Sequence, residues 1–188
     1  MLRVHLGAMN IRNKFVLILG LALAINLISG FYTLHTYRDA AARSDRIRDH
    51  SFTVVNTSLS AQVHFKKQVQ EWKNVLLRGH ETDLYNRYLG QFYTEERQTR
   101  EHIGKLIRLL EHNSEAGETA REFLDAHQRL GGQYRQALGL FRPESIAPHI
   151  DVDLEVRGID RRPTDLLDRV VELAHQHKAQ RLEGIGEQ

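Results

Sequence analysis

The stretch FVLILGLALAINLISGFYTL, from Phe15 to Leu34, decides the fold of this chain. It contains no charged residue, and Asn26 is its only strongly polar side chain. A helix rises about 1.5 Å per residue, so about 20 apolar residues are needed to cross the hydrocarbon core of a membrane. The stretch therefore predicts a transmembrane helix over residues 15–37.

A cleaved secretory signal is the main alternative for this segment. The apolar region of such a signal usually runs about 7–15 residues and ends at a small-residue cleavage site. The candidate site here, Ala40–Ala42, follows Arg38 and Asp39 and lies well past the apolar run. An uncleaved, single-pass anchor is therefore favoured.

The charges that flank the span predict its orientation, because cytoplasmic flanks are enriched in Lys and Arg. Arg3, Arg12 and Lys14 precede the span with no acid among them, whereas basic and acidic residues alternate between residues 38 and 49. We therefore expect residues 1–14 to form a cytoplasmic tail at the bacterial inner membrane, and residues 38–188 to lie in the periplasm.

Composition narrows the class of the remaining residues. The 26 basic and 24 acidic residues are dispersed and give a net charge of +2, so the basic block of a nucleic-acid-binding protein is missing. Cysteine is absent, which fits an extracytoplasmic domain. The three prolines all fall between Pro143 and Pro163, which leaves the preceding hundred or so residues free to form long helices.

Hydrophobic periodicity predicts four long helices. After the span, small or apolar residues recur in steps of four and three, as in a packed helix seam: Ile47, Ser51, Val54, Ser58, Ala61, Phe65, Gln68, Trp72 and Val75 or Leu76. Gly79, Thr82, Ser114 and Pro163 supply stop and start signals. We expect helices at about 38–79, 82–112, 115–142 and 163–188. The predicted fold is all-α: an antiparallel up-down four-helix bundle whose first helix continues from the membrane span.

Two strings within this pattern are similar to a known family. QVQEWKNVLLRG (68–79) and VRGIDRRPT (156–164) resemble stretches of the periplasmic sensor regions of bacterial methyl-accepting chemotaxis proteins, and related sensors occur on some diguanylate cyclases. The resemblance implies an anchor, a periplasmic four-helix-bundle sensor, a second membrane helix and a cytoplasmic signalling module. Because residues 38–188 contain no second apolar span, we expect a sensor region truncated before that helix.

The functional expectation is a ligand-sensing, homodimeric chemoreceptor region that signals by small helix displacements. A membrane-anchored helical protein that binds a periplasmic protein partner is the alternative, as is the sensor region of a diguanylate cyclase. The candidate ligand-binding residues are Lys73, Arg78, Trp72 and Arg157, since guanidinium and ammonium groups bind small organic anions. The same residues also fit structural roles: Trp72 in the core, Arg78 and Arg157 paired with Asp160 or Glu81.

Catalysis, metals and cofactors are not expected. The sequence contains no phosphate-binding glycine loop and no nucleophile motif. Eleven histidines are present, including His64 and His127 near the predicted seams. No Glu-x-x-His metal motif occurs, and covalent haem attachment through Cys-x-x-Cys-His is excluded by the lack of cysteine.

Overall fold

A computed structural model describes residues 10–142 and 148–186 of the chain. The predicted all-α class is confirmed for these residues, which form helices and no strand. Five helices follow one another along the chain: α1 Ile11–Arg78, α2 Thr82–Leu109, α3 Glu115–Leu138, α4 Pro148–Val156 and α5 Arg161–Gly186. The chain divides into two compact units, one up to Arg46 and one from Ile47 onward, which are described separately below.

The first unit carries the apolar segment of α1. This is the one helix among the described residues that is long and apolar enough to cross a membrane, and the apolar window is fully exposed. Its few polar side chains bond within the helix: Asn26 Nδ2 donates to the Ala22 carbonyl at 2.8 Å, and Thr33 Oγ1 to the Ser29 carbonyl at 2.9 Å. Hydrogen bonds satisfied inside the segment are what a lipid environment requires.

In the second unit, the remainder of α1 supplies one side of a shared apolar core. The predicted seam is confirmed, because its residues from Ser51 to Leu76 are buried in α1. Phe65 meets Phe123 of α3 edge-on with ring centroids 5.6 Å apart, and Trp72 stacks on Tyr134 of α3 at 4.2 Å. Trp72 also contacts Phe92 of α2 at 5.8 Å, so one indole joins three helices.

Three ion pairs link α5 to α3 and to the turn before it. Arg169 bonds Glu115 at 2.7 Å, Arg162 bonds Glu122 at 2.7 Å, and Arg181 bonds Glu111 at 2.8 Å. The numbers rise along one segment as they fall along the other, so α3 and α5 run in opposite directions. Exposed pairs of this kind contribute about 0–1 kcal/mol each, and apolar burial is the larger stabilising term.

The helix ends differ from the sequence expectation in three places. α2 ends at Leu109 and α3 at Leu138, each three or four residues earlier than expected, and α5 begins at Arg161 rather than at Pro163. The Ser114 cap is confirmed, since its hydroxyl accepts a hydrogen bond from the Gly117 amide at 3.1 Å. Thr82 is already helical, and the cap position before it is occupied by Glu81.

The third connection contains a helix that the sequence did not predict. α4 buries Val152 and Val156, at 0% and 6% exposure, and leaves Ile150 and Leu154 exposed. Two valines four residues apart supply only one turn of apolar contact. Because acids and prolines surround them, this pattern is too short to predict a helix from the sequence. α4 thus contributes the side chains of Val152 and Val156 to the apolar core.

An ion pair between α2 and α3, in which the carboxylate is buried and the arginine is half-exposed, depends on a glycine. Glu96 is 5% exposed, and its carboxylate accepts two hydrogen bonds from Arg135, at 2.8 and 3.1 Å. A Cβ atom added to Gly131 would collide with Glu96 Oε1, whereas one added to the adjacent Gly132 would meet nothing within 4 Å. Gly131 therefore makes room for the carboxylate inside the helix pair.

We expect Gly131→Ala to lower the free energy of unfolding by about 1–3 kcal/mol, because the new methyl group displaces a buried, paired carboxylate. Gly132→Ala is the matched control, and its higher helix propensity should raise stability by about 0.5–1 kcal/mol. Urea unfolding of the full chain in detergent, followed by the fluorescence of Trp72, the only tryptophan, measures both. Equal stability of the two variants would contradict the packing described here.

Candidate functional site

A hydrogen-bonded polar pair lies inside the apolar core. His127 of α3 and Gln68 of α1 are both 0% exposed, and the His127 Nε2 to Gln68 Oε1 distance is 2.7 Å. The His127 ring stacks on Phe123 at 5.5 Å and meets Phe65 edge-on at 5.8 Å. The pair therefore links the two helices at a level where the histidine also packs against two aromatic rings.

Each member of the pair keeps one polar atom without a partner. Gln68 Nε2 and His127 Nδ1 are buried and make no hydrogen bond to a described residue. Burial, together with the nearby Arg100 and Arg135, lowers the pKa of His127 from 6.5 to about 4. The imidazole is therefore neutral at pH 7. A polar pair in a core lowers stability but restricts the register in which two helices can pack.

The four candidate ligand-binding residues lie in different surroundings. Trp72 is 3% exposed and stacked in the core, while Lys73, next to it in α1, is exposed. Arg78 ends α1 on the surface, and its Nη1 donates to Asn74 Oδ1 at 2.9 Å. Arg157 follows α4 and pairs with Asp153 at 3.0 Å, so it has its own carboxylate partner.

Two further residues accompany Arg78. Its guanidinium lies 5.7 Å from the centre of the Tyr88 ring, and the guanidinium of Arg87 lies 5.9 Å from the same ring. In the part of the chain that the structure describes, no carboxylate forms an ion pair with either arginine. Arg78 and Arg87 contact an aromatic ring, and Arg78 also contacts an amide, so both guanidinium groups can still bind an anionic ligand.

Sequence reasoning identified Arg78 but missed Tyr88 and Arg87. Tyr88 contacts Arg78 across the turn between α1 and α2, ten residues further along the chain, and Arg87 lies near the same ring. The signal that could have found them is the short Gly79–Glu81 connection, which brings the first turns of α2 beside the end of α1.

A second polar cluster joins α1 to α2. His64 Nδ1 lies 2.6 Å from Glu95 Oε2, and the His64 ring lies nearly parallel to that of His102, with centroids 5.1 Å apart and an interplanar angle of 12°. Grooves of about 440 Å³ and 330 Å³ lie beside His64 and His102. The sequence placed His64 near the seam, but nothing in it paired this histidine with Glu95 and His102.

Burial lowers the pKa of His102, and His64 and Lys105 lower it further, while Glu101 opposes them. Within residues 10–142 and 148–186, no group of three or more His, Cys, Asp or Glu side chains is arranged to hold a metal ion directly. The cluster thus consists of two imidazoles and one carboxylate that is already in contact with His64.

Comparison with known proteins finds one kind of relative for the chain. Over 116 residues, 62% of its length, the chain is 38% identical to the methyl-accepting chemotaxis protein CtpH of Pseudomonas aeruginosa. The chain spans about a fifth of the length of that protein, since the match covers 20% of it. No family model matches the chain, and no solved structure matches it. The 116 matched residues are therefore related to a chemotaxis protein.

We expect the stability of the second unit to fall as the pH is lowered from about 6.5 to about 4. Because the folded state holds His127 neutral, the unfolded state binds its proton first, and stability rises with pH across this window. A change from 6.5 to about 4 corresponds to about 3 kcal/mol. Unfolding by urea at a series of pH values measures it.

His127→Gln removes the titrating group and should flatten this part of the pH profile. His112→Gln is the control, because His112 is exposed and should leave the profile unchanged. An unaltered slope in His127→Gln would mean that other groups govern acid unfolding.

Proposed function

We propose that this chain is the membrane-anchored sensor region of a chemoreceptor of the methyl-accepting chemotaxis type, and that it is not an enzyme. The 38% sequence identity with a chemotaxis protein over 116 residues carries the proposal. The apolar, fully exposed segment of α1 supports it, because a receptor of this kind needs a membrane anchor next to its sensor. The chain senses a ligand outside the cytoplasm and passes a conformational change to an output module.

The sensor is an antiparallel up-down bundle of α1, α2, α3 and α5. The residue numbers of contacting pairs support this topology. Along α1, Gln62 bonds Asp168 of α5 at 2.6 Å, and Phe52 lies 5.8 Å from the Lys178 ammonium further along α5. α2 shows the same reversal, because Trp72 contacts Phe92 whereas His64 stacks on His102.

Contacts between α1 and α3 run in the same direction along both helices. Phe65, Gln68 and Trp72 meet partners of rising number on α3: Phe123, His127 and Tyr134. Parallel α1 and α3, each antiparallel to its sequence neighbours, are what an up-down bundle requires. In this arrangement the turn between α1 and α2 lies at the opposite end of the bundle from Ile47, where the second unit begins.

The ligand is a small organic or inorganic anion that binds at this far end. Arg78 and Arg87 flank Tyr88 without a carboxylate partner, and Lys73 is an exposed cation one turn earlier. Trp72 supports the site from the core through its stack on Tyr134. Arg157 joins the site only if it releases Asp153. A guanidinium fork matches the geometry of a carboxylate or phosphate group.

The chain works as a homodimer in the bacterial inner membrane, with a cytoplasmic N-terminus. α1 offers a surface for a second copy, because Phe52, Val63 and Leu77 are 56%, 49% and 64% exposed on the sensor part of the helix. Ligand binding displaces a membrane-connected helix by a small amount and biases a two-state output.

Arg78→Ala should abolish ligand stabilisation while the sensor stays folded, since Arg78 is exposed and the variant loses only its hydrogen bonds to Asn74 and Tyr88. The measurement is thermal unfolding of the full chain in detergent against amino acids, organic acids and inorganic anions. An anion at about 100 times its dissociation constant stabilises the wild type by about 2.7 kcal/mol. Arg97→Ala is the control, because Arg97 pairs with Glu101 on the outside of α2 and should bind normally.

If Arg78→Ala unfolds the sensor, Arg78 is structural, and the anion site must be sought elsewhere. If the folded wild type gains no stability from any anion tested, direct sensing of this ligand class is wrong.

The proposed orientation is testable because the natural chain has no cysteine. Asn10 precedes α1, and Gln133 is exposed on α3, so a single cysteine at either position leaves the core intact. A membrane-impermeant maleimide should label Gln133→Cys in intact spheroplasts and Asn10→Cys only after the membrane is permeabilised. The reverse pattern would invert the topology, and labelling of both in intact cells would exclude a membrane-spanning α1.

A further inference from the structure

The cluster of His64, Glu95 and His102 has the arrangement of a histidine pair with a carboxylate behind it. Glu95 and His102 are seven residues apart in α2, so they lie on one face of the helix two turns apart. His64 faces them from α1, and its side chain is 24% exposed against 18% for Glu95. The groups are thus partly shielded from water but reachable from the surface.

The short contact with Glu95 fixes which nitrogen of His64 is available. Nδ1 lies 2.6 Å from Oε2, within hydrogen-bond distance of the carboxylate. This contact leaves Nε2 as the ring nitrogen that can bind a metal ion. Histidines that bind metal ions almost always donate their second ring N–H to a carboxylate, a backbone carbonyl or water in this way.

The second imidazole lies at the spacing that a shared ion requires. With metal–nitrogen bonds of about 2.0–2.1 Å and tetrahedral angles, the ring centroids of two bound imidazoles are about 5 Å apart. The centroids of His64 and His102 are 5.1 Å apart. Because an imidazole binds a metal ion in its own ring plane and the two rings are stacked at 12°, His102 must turn about its Cβ–Cγ bond to share an ion with His64. No hydrogen bond to a described residue opposes that turn.

We propose that His64 and His102 bind one divalent transition-metal ion between α1 and α2, with Glu95 orienting His64. Water fills the remaining coordination positions from the two grooves, which are lined by hydroxyl and amide groups, including Asn56 and Ser60 in both. Imidazole ligands select Zn²⁺, Ni²⁺ or Cu²⁺ over Mg²⁺ and Ca²⁺, which prefer oxygen.

The charges around the site set its strength. Lys105 lines the groove beside His102 and opposes a cation, while Glu95 and Glu101 attract one. With two protein ligands, the site is weaker than a structural zinc centre of four. A bound ion would join α1 to α2 halfway along the sensor, at a place separate from the arginines near Gly79. The site rests on these contacts alone and is independent of the proposed anion sensing.

The test is Zn²⁺ binding to the full chain in detergent, measured by calorimetry and by the thermal unfolding midpoint from Trp72 fluorescence. The wild type should bind one Zn²⁺ per chain at this site and unfold at a higher temperature, while Ca²⁺ should have no effect. His64→Gln and His102→Gln should each lose this binding. His112→Gln and His175→Gln are matched controls, because both histidines are exposed and distant in sequence from the cluster, and they should bind as the wild type does.

Glu95→Gln separates an orienting role from a direct ligand. It should weaken Zn²⁺ binding about 10- to 100-fold without abolishing it, as removal of a supporting carboxylate does at other metal sites. The proposal is overturned if the wild type binds no Zn²⁺, or if folded His64→Gln and His102→Gln bind it as tightly as the wild type, which would place the ion on other histidines. Circular dichroism establishes that each variant is folded.

Discussion

The packing of α1 against α3 is the constraint on which the sensor unit depends. Phe65, Gln68 and Trp72 occupy successive turns of α1, and each meets a ring on α3. These contacts bury the seam face of α1, which α2 and α5 also contact. Without them the helix would expose the seam from Ser51 to Leu76 to water, at a cost of about 25 cal/mol for each Å² of apolar surface.

That seam is less apolar than a leucine core, and this has consequences for function. Ser51, Ser58, Gln68 and His127 are all buried, and atoms of Ser51, Gln68 and His127 lack a hydrogen-bond partner within the described part of the chain. Polar groups in a core lower stability but restrict the register in which two helices can pack. A restricted register at the Gln68–His127 pair is compatible with the proposed signalling by small helix displacements.

The sequence predicts the features that depend on local pattern. The anchor follows from the apolar run, the seam of α1 from its heptad spacing, and the start of α3 from the Ser114 hydroxyl. Features that depend on contacts between distant segments could not be predicted. The sequence signal for α4 is weak, because it consists of the two buried valines Val152 and Val156. The contacts of Trp72 with Tyr134 and Phe92 depend on how α2 and α3 are staggered against α1.

The candidate site shows the same division. Arg78 stands out because a basic residue precedes the glycine that ends α1, and this is visible in the sequence. Its partners Tyr88 and Arg87 depend on the turn that follows. His64 lies near the predicted seam, but its pairing with Glu95 and His102 requires the stagger of α1 against α2. Residue type and spacing therefore predict candidates, while the partners that determine their chemistry come from packing.

The most direct test of the proposed function is a hybrid receptor in which this chain replaces the region of CtpH that it matches. The hybrid is expressed in cells that lack CtpH, and chemotaxis is recorded toward the anions that raise the unfolding temperature of the isolated chain. The account predicts a response to those anions that is lost in Arg78→Ala and retained in Arg97→Ala. A hybrid that inserts in the membrane and binds the same anions but gives no response, or one that responds equally well without Arg78, would contradict it.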